Sequence, residues 1–478
     1  MLRKTKIVAT LGPSSSDPAT LTRMIEAGVD VVRMNFSHGT AKDHGERVAN
    51  VKSIARNLGR TVGILVDLQG PKIRIGKFKD GKVSLSPGDK FILDARCGEG
   101  TGGRVGLDYK ELPRDVAPDD ILLLDDGRLE FHVTAVKGEE IHCVVVRGGV
   151  LSNNKGINRK GGGLTAPALT EKDKADIITA AELQADFLAV SFPRSGADML
   201  YARGLMRDAG GRALLVAKIE RAEAVTALDE ILDASDAIMV ARGDLAVEVG
   251  DAVVPALQKR MIRAARLKNK AVITATQMME SMISSPVPTR AEVSDVANAA
   301  IDGTDAVMLS AETAAGQFPV EAVEAMVRVL LEAEKEKLDT MDRRLAIRSD
   351  SAGVEAAIAH AAIYTANHLP VRAIAALTQS GKTALLMSRM NADVPIYALS
   401  PSIETRRKVT LFRGVYPVRF KHSTVDPEEV MSLAQEELLK RDAVNEGDLI
   451  VLTIGEPIGK PGGTNTMKII KINEHKRH

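Results

Sequence analysis

The chain has 478 residues, 45% of them hydrophobic and 27% charged, with 64 Lys and Arg against 63 Asp and Glu. This is the composition of a globular protein of about three domains, and a net charge of +1 excludes a general nucleic-acid or membrane-surface binder. Two cysteines, Cys97 and Cys143, exclude a disulfide framework and suit a reducing cytoplasm; no apolar run reaches the ~18 residues of a spanning helix.

From the N-terminus, Lys6–Thr10, Val31–Phe36 and Val62–Leu68 are short apolar runs of strand type. Amphipathic helical patterns, Pro18–Ala27 and Lys42–Leu58, lie between them. The alternation breaks between Pro71 and Pro167. That stretch carries turn signals at Lys79-Asp80-Gly81-Lys82, Ser86-Pro87-Gly88-Asp89, Asp125-Asp126-Gly127-Arg128 and Val136-Lys137-Gly138-Glu139. It reads as a small inserted β-barrel or sandwich with hairpin turns. Strand runs then resume at Phe187–Phe192, Leu214–Ile219, Ala237–Ala241, Ala271–Ala275 and Ala306–Leu309, again separated by helical patterns. Eight near-continuous apolar strands alternating with helices predict a parallel (β/α)8 barrel, the TIM-barrel fold. Past Ser351 a further pattern of five strands from Ala373 to Ile472 predicts an open-sheet α/β domain. The expected limits are 1–70 and 168–345 for the barrel, 71–167 for the inserted lid, and 346–478 for the C-terminal domain.

Active sites of such barrels lie at the C-terminal strand ends. Here the second strand ends in Arg33-Met34-Asn35-Phe36-Ser37-His38, and the third in Asp67-Leu68-Gln69-Gly70-Pro71-Lys72-Ile73-Arg74. The fifth ends in Lys218-Ile219-Glu220, the sixth in Arg242-Gly243-Asp244, and the seventh in Thr274-Ala275-Thr276. Apolar strands ending repeatedly in charge indicate a site. Glu220 and Asp244, on adjacent strands, suit one hard Mg2+ with positions left for substrate oxygens. Arg33, Arg74 and Lys218 suit the equatorial oxygens of a transferring phosphoryl group.

The motifs RMNFSHG, GPKIR, AKIE with ARGDL, ATQMMESM and MLSAET resemble the signatures of pyruvate kinases, in order and over essentially the whole chain. The resemblance implies Mg2+-dependent transfer of a phosphoryl group from phosphoenolpyruvate to ADP, giving pyruvate and ATP, with Mn2+ able to stand in for Mg2+. It implies that Arg33 and Lys218 hold the phosphoryl group and that Lys218 also stabilises the enolate. Glu220 and Asp244 would bind the metal, and Gly243, Asp244 and Thr276 the substrate carboxylate. Asn35, Phe36, Ser37, His38, Arg74 and Lys155 would line the nucleotide site. A water chain through Thr276 and Ser310 would protonate the enolate. The resemblance also implies a homotetramer, and the charge balance, the two cysteines and the short apolar runs lead to the expectation of a cytoplasmic protein without nucleic-acid or membrane partners.

The chain departs from the commoner family pattern at one point. Many pyruvate kinases need K+ and read Asp-Thr-Lys-Gly-Pro-Glu after the third strand; this chain reads Asp67-Leu68-Gln69-Gly70-Pro71-Lys72. Lys72 is a candidate surrogate for K+, with Asn35, Ser37 and Asp67 lining the position, so K+ is expected not to be required. In the alternative reading, Lys72 faces solvent in the lid hinge and K+ still binds.

Thr378-Gln379-Ser380-Gly381-Lys382-Thr383 lacks the first glycine of a nucleotide P-loop, where Ala376 stands. It follows a strand and opens a helix, so its N–H groups and hydroxyls could cradle a phosphate or form an ordinary helix cap; the resemblance to pyruvate kinases implies that Thr378, Ser380, Lys382 and Thr383 belong to the site of a phosphorylated effector. Two other functions remain open at this point: a barrel lyase or aldolase acting on phosphoenolpyruvate or pyruvate, and a catalytically silent metabolite sensor.

Overall fold

The computed structural model describes residues 2–335, 353–458 and 462–472. The expected limit at 345/346 lies outside the described residues. Eight parallel strands close a barrel: β1 (Lys6–Leu11), β2 (Val31–Asn35), β3 (Gly63–Asp67), β4 (Phe187–Val190), β5 (Leu214–Ile219), β6 (Ala237–Ala241), β7 (Ala271–Ala275) and β8 (Ala306–Leu309). Closure is made by β1, which pairs with β2 on one edge and β8 on the other, Lys6 standing opposite Ala306.

The strands are continuous apolar runs because both of their faces are covered. Inward-facing Val8, Leu65, Phe187, Val216, Met239, Ile273 and Met308 fill the interior. Outward-facing Ile7, Val32, Ile64, Leu188, Leu215 and Ile238 pack against the helices. The interior cluster runs on into Ile374, Val409 and Leu411 of the C-terminal domain, so the barrel stands on that domain. Three barrel helices open with reciprocal Thr–acid caps: Thr40 with Asp43, Thr170 with Asp173, and Thr289 with Glu292. Each cap is worth about 1 kcal/mol.

The N-terminal face, the floor, carries a fourfold device. An aspartate immediately precedes every even-numbered strand, and its carboxylate accepts the backbone N–H of the second residue of the preceding odd strand. Asp30 takes Ile7 at 2.9 Å, Asp186 takes Ile64 at 2.8 Å, Asp236 takes Leu215 at 2.8 Å and Asp305 takes Val272 at 2.9 Å. The aspartate N–H returns a bond to the same residue's carbonyl each time, at 2.9–3.0 Å. Three of the four are also paired to arginine: Asp30 to Arg3 at 2.8 Å, Asp236 to Arg203 at 3.0 Å, and Asp305 to Arg389 of the C-terminal domain. Arg413 adds its backbone N–H to Asp305 at 3.0 Å, and Glu334 accepts the backbone N–H groups of Lys4 and Thr5 at 2.6 Å.

The insert leaves the barrel after β3 and returns before β4. Its main sheet has six strands, flanked by two two-stranded pairs. Of the four expected hairpin turns, two join hydrogen-bonded neighbours: Asp125–Arg128 joins Ile121–Leu124 to Leu129–Lys137, and Val136–Glu139 joins the latter to Glu140–Arg147. The other two do not. The strands beside Lys79–Gly81 and Ser86–Asp89 pair with more distant segments, Lys82–Leu85 with Gly149–Ser152 and Lys90–Asp94 with Glu140–Val144. Turn chemistry fixes where a chain reverses, and the partner is chosen by tertiary packing.

The C-terminal domain is a five-stranded sheet: β9 (Val371–Leu377), β10 (Ile396–Ser400), β11 (Val415–Arg419), β12 (Leu449–Gly455) and β13 (Thr464–Lys471). The order is β11-β10-β9-β12-β13, with only β13 antiparallel.

Candidate active site

At the opposite face, the mouth, the strand ends converge on Lys218. Its ammonium lies 2.9 Å from Glu220 and 3.2 Å from Asp67, and donates to the Ser191 hydroxyl at 2.7 Å. Burial pulls the Lys218 pKa down, but the charges of Asp67 and Glu220 overcome it and hold the group above the ordinary lysine range. Lys218 is therefore a fixed cation, facing the barrel axis.

Arg33 is set beside it by the β2–β3 register, which puts Asn35 opposite Asp67. Its guanidinium donates to Asp67 at 2.6 Å and to the Thr10 hydroxyl at 3.1 Å. Burial works to raise the Asp67 pKa, and Lys218 and Arg33 together bring it below the usual carboxylate range. Asp67 thus stays ionised and orients two cations.

Glu220 is 1% exposed and accepts the Phe192 N–H at 2.8 Å. Burial pushes its pKa up to about 7; Lys218 opposes the shift and the neighbouring charge of Asp244 adds to it. Asp244, in the first turn of the helix Arg242–Val249, is part-exposed, and the Lys72 ammonium lies 3.8 Å away. Two hard carboxylates in mutual repulsion are the donor chemistry that Mg2+ selects. Among the described residues no group of three or more His, Cys, Asp or Glu is placed to hold a metal, so substrate oxygens would have to complete the shell.

Thr276 follows β7 with φ +64°, and Gln277 with φ +55°, a conformation that costs a residue with a Cβ on the order of 1 kcal/mol. The Thr276 hydroxyl accepts the Gly243 N–H at 2.9 Å and donates to the Ala275 carbonyl at 2.7 Å. Arg242 holds this turn in place. Its guanidinium donates to the carbonyls of Ala275 at 3.2 Å and Thr276 at 2.6 Å, and pairs with Asp295 at 2.6 Å. The Ser310 N–H, at the end of β8, donates to Glu312 at 2.7 Å.

The expected nucleotide residues fall in two groups. Asn35, Ser37 and His38 lie at the mouth, where Asn35 accepts the Ser37 N–H at 3.1 Å and His38 is exposed. Phe36 differs from its neighbours: its ring is 3% exposed and stacks on His44 with centroids 4.2 Å apart, so only its backbone is offered to a ligand. Arg74 and Lys155 belong to the insert, where Arg74 donates to the Asn154 carbonyl at 3.0 Å and Lys155 pairs with Asp125 at 2.7 Å. The turn that leaves β3 for the insert needs Gly70, with φ +69°, since a Cβ there would stand 2.7 Å from that of Ser191.

Two residues at the mouth were not anticipated. Ser191, 1% exposed, donates to the Leu68 carbonyl at 2.7 Å and bridges β4 to Lys218. Arg242 was visible as a strand-end residue, but nothing in its neighbours signalled bonds to carbonyls on another strand.

In the C-terminal domain, Thr378, Ser380 and Thr383 line one pocket together with Glu355, Phe420 and His422. Lys382 is 63% exposed and pairs with Glu355 at 3.1 Å. The Thr383 hydroxyl donates to Glu355 at 2.8 Å, and Thr378 accepts the Gly381 N–H at 2.9 Å. No described helix is long and apolar enough to cross a membrane.

Two family models match the chain: "Pyruvate kinase, barrel domain" over residues 2–323 and "Pyruvate kinase, alpha/beta domain" over residues 356–470. The pyruvate kinase II of Salmonella typhimurium is 55% identical over 478 residues, covering 98% of this chain and 99% of the relative. The pyruvate kinase of Haemophilus influenzae is 56% identical, covering 95% and 96%. A solved pyruvate kinase from Cryptosporidium parvum superposes with a TM-score of 0.92 at 34% identity, covering 98% of this chain and 96% of that one.

Proposed function

The chain belongs to the pyruvate kinase family, and from that premise we propose that it transfers the phosphoryl group of phosphoenolpyruvate to ADP at the mouth built around Lys218. The observation that carries this reading is the constellation of one permanently charged lysine, held by Asp67, Glu220 and Ser191, beside Arg33. Phosphoryl transfer asks the protein mainly for position and for positive charge around the equatorial oxygens. Arg33 and Lys218 supply both, and Lys218 stays charged to stabilise the enolate that remains.

Glu220 and Asp244 would hold Mg2+, or Mn2+ in its place; the ion would supply charge neutralisation between the two phosphoryl-bearing substrates. The Gly243 N–H and the Thr276 hydroxyl, already paired at 2.9 Å, would turn to the substrate carboxylate. Thr276 and Ser310 would hold the water that returns a proton to the enolate. Asn35, the Phe36 backbone, Ser37 and His38 would meet the nucleotide from the barrel, and Arg74 and Lys155 from the insert. The insert, taken as residues 71–167, would swing about Gly70 to exclude water.

Lys72 is the basis for a K+-independent reaction. Its ammonium lies 3.8 Å from Asp244, and among the described residues no ion pair or hydrogen bond joins it to Asn35, Ser37 or Asp67, so it would stand in for K+ from the metal side of that position, where K+ would meet repulsion at short range. The test is ATP formation from phosphoenolpyruvate and ADP with Mg2+, in a buffer whose only other cation is tetramethylammonium. Full activity without K+ is expected, and strong activation by added K+ would overturn the Lys72 assignment. Removing Mg2+ should abolish turnover.

The pocket at Thr378, Ser380 and Thr383 would take a phosphorylated metabolite that activates the enzyme, with Lys382 released from Glu355 to meet it. Saturation by phosphoenolpyruvate should then be sigmoidal and become hyperbolic with the effector. Ser380→Asp should keep basal activity and lose that response; a full response in the variant would move the site elsewhere. A cytoplasmic homotetramer completes the proposal.

A further inference from the structure

A cleft of about 700 Å3 separates the insert from the barrel mouth, with Gly243, Asp244 and Gln277 on the barrel side. Three cations line it, Lys72, Arg147 and Lys160. Two are engaged, Lys72 with Asp244 at 3.8 Å and Arg147 with Glu130 at 3.1 Å. Among the described residues the exposed ammonium of Lys160 has neither an ion pair nor a hydrogen bond. The cleft also carries Asp126 and Asp251, so an anionic substrate entering it meets an acidic wall unless a free cation faces it.

The backbone around Lys160 is held from both sides. On the insert, the Lys160 N–H donates to the Ile121 carbonyl at 3.0 Å, and Arg159 pairs with Asp120 at 2.9 Å. On the barrel, the Gly161 N–H donates to the Glu248 carbonyl at 3.0 Å, and the Gly163 N–H donates to Glu223. Gly161, Gly162 and Gly163 have φ of +84°, +82° and +93°, and a Cβ on Gly162 would stand 2.7 Å from the Glu223 carboxylate. Only glycines accept that path. Glu223 and Glu248 sit on the helices that follow β5 and β6, the strands leading to Glu220 and Asp244. Lys160 is thus placed at the joint between lid and mouth by the same two elements that place the carboxylates.

We propose that Lys160 is a specificity-determining residue for phosphoenolpyruvate, closing on the anionic groups of that substrate from the lid side; this rests on the pyruvate kinase reading above. The cleft it lines includes Gly243 and Asp244, proposed above for the substrate carboxylate and the metal, and none of Asn35, Ser37, His38, Arg74 or Lys155; Arg33, Lys218, Glu220 and Thr276 lie outside its lining, so Gly243 and Asp244 are the ground on which Lys160 is matched to phosphoenolpyruvate.

The experiment is steady-state kinetics of the full chain with Lys160→Ala and Lys160→Arg, varying each substrate at saturation of the other. Lys160→Ala should raise KM for phosphoenolpyruvate about tenfold or more, the usual loss for a charge-assisted contact. KM for ADP should stay within about twofold, and Lys160→Arg should recover most of the loss. An unchanged KM for phosphoenolpyruvate overturns the proposal, and so does a parallel rise in both KM values, which would mark a hinge effect. Equilibrium binding of phosphoenolpyruvate with Mg2+, without ADP, poses the same question in the absence of turnover. A wild-type chain that binds it but makes no ATP would overturn the functional reading, and the Lys160 comparison would still decide this one.

Discussion

At the floor of the barrel Asp30, Asp186, Asp236 and Asp305 make one contact four times over; at the mouth no contact repeats. Each floor aspartate bonds a neighbouring strand and, in three cases, an arginine. The mouth carries the same residue types with their valences partly open: Asp244 is paired with Lys72 at 3.8 Å, and Glu220 is pressed by a like charge. Alternate strands of such a barrel contribute equivalent layers. The floor keeps that equivalence and the mouth breaks it, with lysine at one strand end, threonine at another and serine at a third. Where the symmetry is kept, the carboxylates tie strand to strand; where it is broken, charge is free for chemistry.

The comparison is broken most forcefully by removing one charge from each end. Lys218→Met should lower kcat by about 10²–10³-fold, measured by ATP formation. Asp305→Ala strands Arg389, which is 8% exposed, and should cost about 3–5 kcal/mol of stability in denaturant unfolding with kcat of the folded enzyme little changed. Crossed results, a floor variant that loses turnover or a mouth variant that unfolds, would erase the division.

Arg242 sits between the two cases, a mouth residue with a supporting task. Arg242→Ala should release the turn at Thr276 and Gln277 and lower kcat/KM for phosphoenolpyruvate roughly ten- to a hundredfold. Its effect on KM for ADP should be small, and a structure of the variant should show Thr276 displaced. An undisturbed kcat/KM would reduce Arg242 to a partner of Asp295.

The smallest effect sharpens the fourfold pattern from within. Asp186 is the member without a close arginine, and burial pushes its pKa up from 3.8 to about 7, against the Ile64 N–H and the more distant Arg407 and Lys52. A folded pKa above the unfolded one means that its contribution is fully present below about pH 4 and is lost as pH rises through 7. Asp186→Asn should flatten the pH dependence of the thermal midpoint over that window and gain on the wild type above pH 7. Identical slopes for the two proteins would remove Asp186 from the account.

Much of this was legible in the chain because a strand buried on both faces must be written as an unbroken apolar run. All eight barrel strands stand where such runs do, and Lys218, Glu220, Asp244 and Arg33 stand where those runs end in charge. The floor device was written too, as Val29-Asp30-Val31, Ala185-Asp186-Phe187, Ser235-Asp236-Ala237 and Thr304-Asp305-Ala306. These aspartates stand at strand beginnings, opposite the strand ends where the site's charges lie. Partner choice in the insert was not legible, since Gly-Asp turns mark reversals without saying which strands pair. Ser191 was hidden inside the run Phe187–Phe192. Arg242, Glu223 and Glu248 act on backbone groups, which leave no trace in residue type.

The position of β1 has a consequence for synthesis. The partner of one edge of β1, β2, is complete at residue 35, while the partner of the other edge, β8 at Ala306–Leu309, and Glu334, which ties down Lys4 and Thr5, come near the end of the barrel sequence. At about 5–20 residues per second, the ribosome needs roughly fifteen seconds to a minute to deliver them. A β1 strand formed during that interval would have an open edge, and the segment that protects it in the folded barrel is among the last of the barrel to emerge.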